Sequence, residues 1–120
     1  MDNIQLKIEK YQKVLSDYIN NLANEANKTL SNNIKYQAIV DTQNNHFQLI
    51  IIGWENDDFT YAVLIHLDIN AETGNIWIQQ NNTEIEIDAE LKKIASIPKK
   101  HFVLSFRPDY VREHSEYAIA

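Results

Sequence analysis

Apolar residues near the start of the chain recur at alternating steps of four and three. Ile4, Ile8, Tyr11, Leu15, Tyr18 and Leu22 fall on one helical stripe, with Glu9, Lys10, Lys13, Asp17 and Asn20 between them on the wet side. The spacing predicts one long helix from about Asn3 to Leu30, ending before Ser31-Asn32-Asn33. Such a stripe suits a sheet or a coiled-coil seam. In a chain this short the sheet is the better partner, because a sheet must bury a face on something.

From Ile34 onward the period changes to two. Strands are expected over Ile34–Asp41, His46–Trp54, Phe59–Asn70 and Asn75–Gln80. The polar turns Gln43-Asn44-Asn45, Glu55-Asn56-Asp57-Asp58 and Ala71-Glu72-Thr73-Gly74 separate them, and connections that short imply antiparallel pairing. In the third strand, Phe59, Tyr61, Val63, Ile65, Leu67 and Ile69 are expected on one face, with Thr60, Ala62, Leu64, His66, Asp68 and Asn70 on the other. A second helix should begin near Asp88 as N-cap, carry Leu91, Ile94 and Ala95 inward, and stop at Ile97-Pro98. Phe102–Phe106 reads as a fifth strand and Pro108 as the start of a short turn or helix. The apolar ending Tyr117-Ala118-Ile119-Ala120 suggests a tail that docks. The expected fold is α+β: a single domain, residues 1–120, with a long N-terminal helix packed on a four- to five-stranded, mainly antiparallel sheet and a second short helix.

The second and third strands are apolar on both faces at their centres, in Leu49-Ile50-Ile51-Ile52 and Val63-Leu64-Ile65. One helix covers one face. The other needs the second helix, the C-terminal tail or another protein chain.

Composition narrows the function. The chain has 120 residues, 44% of them hydrophobic, enough for one core. It has no cysteine, which excludes a disulfide scaffold and Cys-ligated metal sites. No apolar run reaches membrane-spanning length and the N-terminus carries no signal-like apolar segment, so a cytoplasmic location is expected, with no membrane partner. The net charge is −6, and no Lys or Arg falls between Tyr36 and Leu91, a stretch rich in Asp and Glu. Such a surface repels phosphate, so direct sequence-specific DNA binding is not expected.

Few residues point to chemistry. His66 and Asp68, two apart on a strand, share a face, a spacing that orients an imidazole or sets two metal ligands together. A metal site needs further ligands and none stands at ligand spacing. The pair therefore reads as part of a structural hydrogen-bond network, and no metal, cofactor or catalytic residue is expected. The two glycines, Gly53 and Gly74, lie too far apart for a phosphate-binding loop. Trp54 and Trp77 lack basic neighbours that would suit a base-stacking surface and read as core or interface anchors.

The stretch from Gly53 onward resembles the XisI family of fdxN-element excision controlling factors. The residues that carry this are Gly53-Trp54, His66-Leu67-Asp68-Ile69, Gly74-Asn75-Ile76-Trp77-Ile78-Gln79 and Thr83-Glu84, then Glu90-Leu91, Ile97-Pro98-Lys99, Phe102-Val103-Leu104-Ser105-Phe106 and the ending Ser115-Glu116-Tyr117-Ala118-Ile119-Ala120. Two places depart from the family pattern: Asn81-Asn82 stands for an Asp-Gly-like turn, and Glu86-Ile87-Asp88 for Gly-Ile-Ala. The resemblance implies a role in programmed DNA excision during heterocyst development in cyanobacteria, together with an XisH-like companion. It supplies no catalytic residue. The implied function is a non-enzymatic accessory factor acting through protein contacts, with Trp54, His66, Asp68, Trp77 and Gln79 as candidate partner interface. A homo-oligomer using the spare sheet face is also expected. The alternative is an acidic, antitoxin-like inhibitor of a nuclease-like companion.

Overall fold

The computed structural model describes residues 3–29 and 33–120. A long helix, α1 (Asn3–Asn27), leads into four consecutive strands: β1 (Ile34–Asp41), β2 (His46–Glu55), β3 (Asp58–Ile69) and β4 (Ile76–Asn81). A second helix, α2 (Ile87–Ala95), and a single 3-10 turn lead to β5 (Phe102–Leu104), and a short helix, α3 (Asp109–Arg112), precedes the tail. The sheet order is β1-β2-β3-β4-β5. The first three pairings are antiparallel and β4–β5 is parallel. That parallel pair follows from α2, since a helical crossover returns the chain in the same direction. The α+β architecture is the one the periodicities predict.

Both helices pack on one face. Ile8, Tyr11, Leu15, Tyr18, Ile19 and Ala23 of α1 meet Phe47, Leu49, Ile65, Leu67, Ile69, Ile76, Ile78 and Phe102, and Ile87, Leu91 and Ile97 complete the core. Polar side chains then fix the helix in register. Lys7 Nζ donates to Thr73 O (3.0 Å) and Asn75 Oδ1 (2.7 Å), and Gln12 Nε2 donates to Thr42 O (3.0 Å) and Asn45 Oδ1 (2.7 Å), so α1 grips both turns at one end of the sheet. At its other end the Asn27 amide bonds both the N–H and the C=O of Tyr36, each at 2.8 Å. That occupies outward-facing groups of an edge strand. The helix stops short of the expected Leu30: Lys28 and Thr29 already form a turn after Asn27, with Lys28 N donating to Glu25 O at 3.3 Å, and Leu30 lies outside the described residues.

Three expectations are corrected. The clean alternation of β3 fails: Ile50 pairs with Val63 but Leu49 pairs with Ile65, so Leu64 is an extra residue, a β-bulge. On the turn side of it, Phe59, Tyr61 and Val63 pair with Trp54, Ile52 and Ile50 and lie on the face away from α1. On the other side, Ile65, Leu67 and Ile69 turn into the core. In α2, Ile94 is 66% exposed: it continues the stripe of Ile87 and Leu91, but at the helix end it lines an open groove between α2 and α1, beside Val14, Tyr18 and Leu22. The N-cap is Glu86, with no side-chain cap bond; Asp88 lies inside the first turn and accepts from Tyr117 Oη at 3.2 Å.

The second face is covered at one side only. The tail runs beside β5, with Ala118 N donating to Phe102 O at 2.8 Å and Asn75 Nδ2 to Ala120 O at 2.7 Å. The Arg112 guanidinium lies over the Trp77 ring at 5.3 Å, and Val103 beside it in the sheet is fully buried. The tail therefore docks, as its apolar character predicts. Across β1–β3 the same face stays open, and Ile39, Trp54, Phe59 and Tyr61 are exposed.

Candidate functional site on the open sheet face

The bulge at Leu64 has a consequence across the sheet. Counted from the Glu55–Asp58 pair without it, His46 would stand opposite Leu67. With it, His46 stands opposite Asp68 and Gln48 opposite His66. Paired residues share a face, so these four polar side chains meet on the face away from α1. His46 Nδ1 lies 2.7 Å and His66 Nε2 2.8 Å from the same oxygen, Asp68 Oδ1. The two imidazole rings sit edge to face, 6.1 Å apart.

A second irregularity extends the chain of contacts into β4. His66 pairs with Gln80 and Leu67 with Ile78, which leaves Gln79 as an extra residue. Gln79 Nε2 donates to Asp68 Oδ2 at 3.0 Å and Gln79 Oε1 accepts from Ser105 Oγ at 2.6 Å, while Gln80 Nε2 donates to Val63 O. The Gln48 amide contacts His66 Nδ1 at 3.3 Å. One polar chain thus crosses β2, β3 and β4 and ends at Ser105, just past β5. Each partly buried lone pair and proton it satisfies would otherwise cost some desolvation energy on a half-covered sheet.

The site is electrostatically polarised. The hydrogen bond that His46 donates to Asp68 holds its imidazole above its usual range, against partial desolvation, and the charges of Asp68 and Asp41 act in the same direction. Asp41, opposite His46 in β1, is held below the usual carboxylate range chiefly by the Asn44 side chain, which donates to Asp41 Oδ2 at 2.9 Å. Beside the cluster is a hollow of about 300 Å³ lined by Asn44, His46, Asp68, Ile69, Asn70, Trp77 and Gln79.

Of the residues singled out in the sequence, His66, Asp68, Trp77 and Gln79 are brought together. Trp54 is not. It lies at the far end of the same face, its ring tilted against Phe59 at 5.2 Å across the hairpin, and is 54% exposed. Sequence reasoning missed His46, Gln48 and Ser105, because they reach the site through strand register and not through spacing along the chain. His46 opens a strand and Asp68 nears the end of the next, which is a hairpin signal, but the count lands on Asp68 only once the bulge is included.

The family model described as XisI protein matches residues 1–119. A solved XisI-like protein from Anabaena variabilis ATCC 29413 is similar to this chain with a TM-score of 0.82 at 31% identity, over 94% of this chain and 99% of that one. The fdxN element excision controlling factor XisI from the same organism gives a TM-score of 0.73 at 24% identity, over 95% of this chain and 99% of that one, a likeness of fold. No curated protein matches. No helix among the described residues is long and apolar enough to cross a membrane. With a family model matched along nearly its whole length and a shared fold at 31% identity, the chain belongs to the XisI family.

Proposed function

We propose that this chain is a non-catalytic accessory factor in the control of programmed DNA excision, acting by docking an XisH-like companion on its open sheet face. The observation that carries this reading is the exposed row Trp54, Phe59 and Tyr61 on the face away from α1, where the Leu64 bulge turns Phe59 and Tyr61 outward to join Trp54. Aromatic residues exposed together on a rigid sheet are the usual anchors of a protein interface. The polar chain from Gln48 to Ser105 continues that surface as a fixed pattern of donors and acceptors, which favours one partner over others. His66, Asp68, Trp77 and Gln79 belong to this second half of the interface and Trp54 to the first. The excision-controlling XisI of Anabaena variabilis shares the fold and supports the assignment of the process.

Light scattering on a size-exclusion column, for the chain alone and co-expressed with an XisH-like companion, tests the reading. A stable mixed complex that Trp54→Ala and Tyr61→Ala weaken is the expected result. Failure of the co-expressed pair to associate overturns it. A homo-oligomer that ignores the companion would assign the open face to a second copy of this chain. The acidic turn residues Glu55, Asp57 and Asp58 flank the aromatic row and favour an inhibitory variant of the same docking. A nuclease-like companion equally active with and without the chain would remove that variant.

A further inference from the structure

We propose that His46, His66 and Asp68 form a binding site for a divalent transition-metal ion of the zinc class. One ligand atom from each lies within 4.8 Å of the other two. Both imidazole nitrogens already converge on Asp68 Oδ1, at 2.7 and 2.8 Å. Around an ion bonded at ~2.0–2.1 Å, tetrahedral ligands sit ~3.3 Å apart, so each nitrogen–oxygen contact opens by about half an ångström while the two nitrogens, within 4.8 Å of each other, settle to that spacing. Two imidazoles and a carboxylate are the donor set that borderline divalent ions take, with open positions left for water or an incoming donor. The hollow beside the cluster supplies that room.

The surroundings resemble the outer shell of a metal centre. Gln79 Nε2 ties down Asp68 Oδ2, and Ser105 fixes Gln79 in turn, so that Oδ1 is aimed at the imidazoles. Gln48 sits on the far nitrogen of His66. Groups in these places orient ligands and set their tautomers. Without metal, each imidazole donates an N–H to Oδ1. On binding, each moves that proton to its other nitrogen: His46 Nε2–H faces solvent and His66 Nδ1–H faces Gln48, whose amide rotates to present Oε1. His46 is half-exposed, which provides an entry path. The remaining groups facing the cluster are Asp41 from β1 across from His46 and Trp77 from β4, with Arg112 over the indole. Only the neutral imidazoles ligate.

Calorimetric titration of the full chain with Zn²⁺ in a non-chelating buffer tests the site, alongside the visible d–d absorption of added Co²⁺. Wild-type protein should take up about one ion per chain, with His46→Ala and His66→Ala each lowering affinity at least ~10-fold and Gln79→Ala by ~10–100-fold. The exposed-site control His114→Ala should bind as wild type. Thermal unfolding of each variant reports whether it is folded; should His66→Ala fail that check, His46→Ala at a half-exposed position decides the matter. Absence of both Zn²⁺ heat and Co²⁺ absorption, or undiminished binding by a folded His46→Ala variant, overturns the proposal.

Discussion

Ile50 stands opposite Val63, while its neighbour Leu49 stands opposite Ile65, and Leu64 is passed over. This slip places residues of one strand on opposite faces of the sheet although their sequence parity is the same. Ile65 is fully buried and Tyr61, four positions earlier, is 58% exposed. Ile65→Ala should therefore cost about 2–5 kcal/mol in a urea titration, the range for a truncated core side chain. Tyr61→Ala should fall within about 1 kcal/mol. An unbroken alternation would make both substitutions core truncations.

Gly53 gives a second test of β2. Its φ is +146°, and a Cβ there would stand 2.0 Å from Asn33 O, the oxygen that accepts from Trp54 N at 2.9 Å. Gly53→Ala forces the chain entering β1 away from β2. It should lower stability by well over ~1 kcal/mol, measured by chemical denaturation, whereas the same replacement at a compatible site stabilises by ~0.4–1 kcal/mol.

The two perturbed histidines shift stability with pH in opposite senses. His46 is held above its ordinary value by Asp68. Its contribution is complete below the unfolded value of about 6.5 and fades as pH rises through the raised folded value. His101 is held below its ordinary value, first by burial and then by the charges of Lys7, Lys100 and Lys10. Its neutral ring accepts from the Tyr11 hydroxyl at 2.6 Å, so its contribution is complete above about 6.5 and is lost as pH falls through the lowered folded value. In melting curves, the advantage of wild type over His46→Gln should grow as pH drops from about 8 to about 6. The advantage over His101→Gln should shrink below about pH 6.5.

Tyr18 of α1 and Glu90 of α2 join the two helices over the core, the hydroxyl donating to Oε1 at 2.5 Å. Burial, with Glu90 as acceptor, pushes the phenol strongly up, so it stays protonated and donating at any working pH. Tyr18→Phe should cost about 1 kcal/mol in equilibrium unfolding, a figure held down by water around the exposed carboxylate.

Arg112 anchors the tail. Its Nε donates to Ile119 O at 2.8 Å and its Nη1 to Arg107 O at 2.5 Å while the guanidinium covers Trp77. Arg112→Ala should release the tail without unfolding the domain. Hydrogen exchange at the Ala118 amide, bonded to Phe102 O, should accelerate while amides of β2 and β3 keep their protection.

The local periodicities determined much of this protein on their own. The four-and-three stripe specifies α1 because helical geometry gathers those positions regardless of what they meet. The polar turns delimit β1 to β4 within a residue or two, and the pairing of His66 with Asp68 follows from a period of two. What the chain could not disclose is which partner faces that pair. In Val63-Leu64-Ile65 all three residues are apolar, so alternation cannot mark the extra one. Only the folded molecule resolves it: the hairpin register runs back from Asn56-Asp57 on one side, and burial of Ile65, Leu67 and Ile69 under α1 sets it on the other. The two registers differ by one, and Leu64 absorbs the difference. That single residue brings His46 to Asp68 and turns Phe59 and Tyr61 outward, because in a sheet a shift of one moves a side chain to the other face.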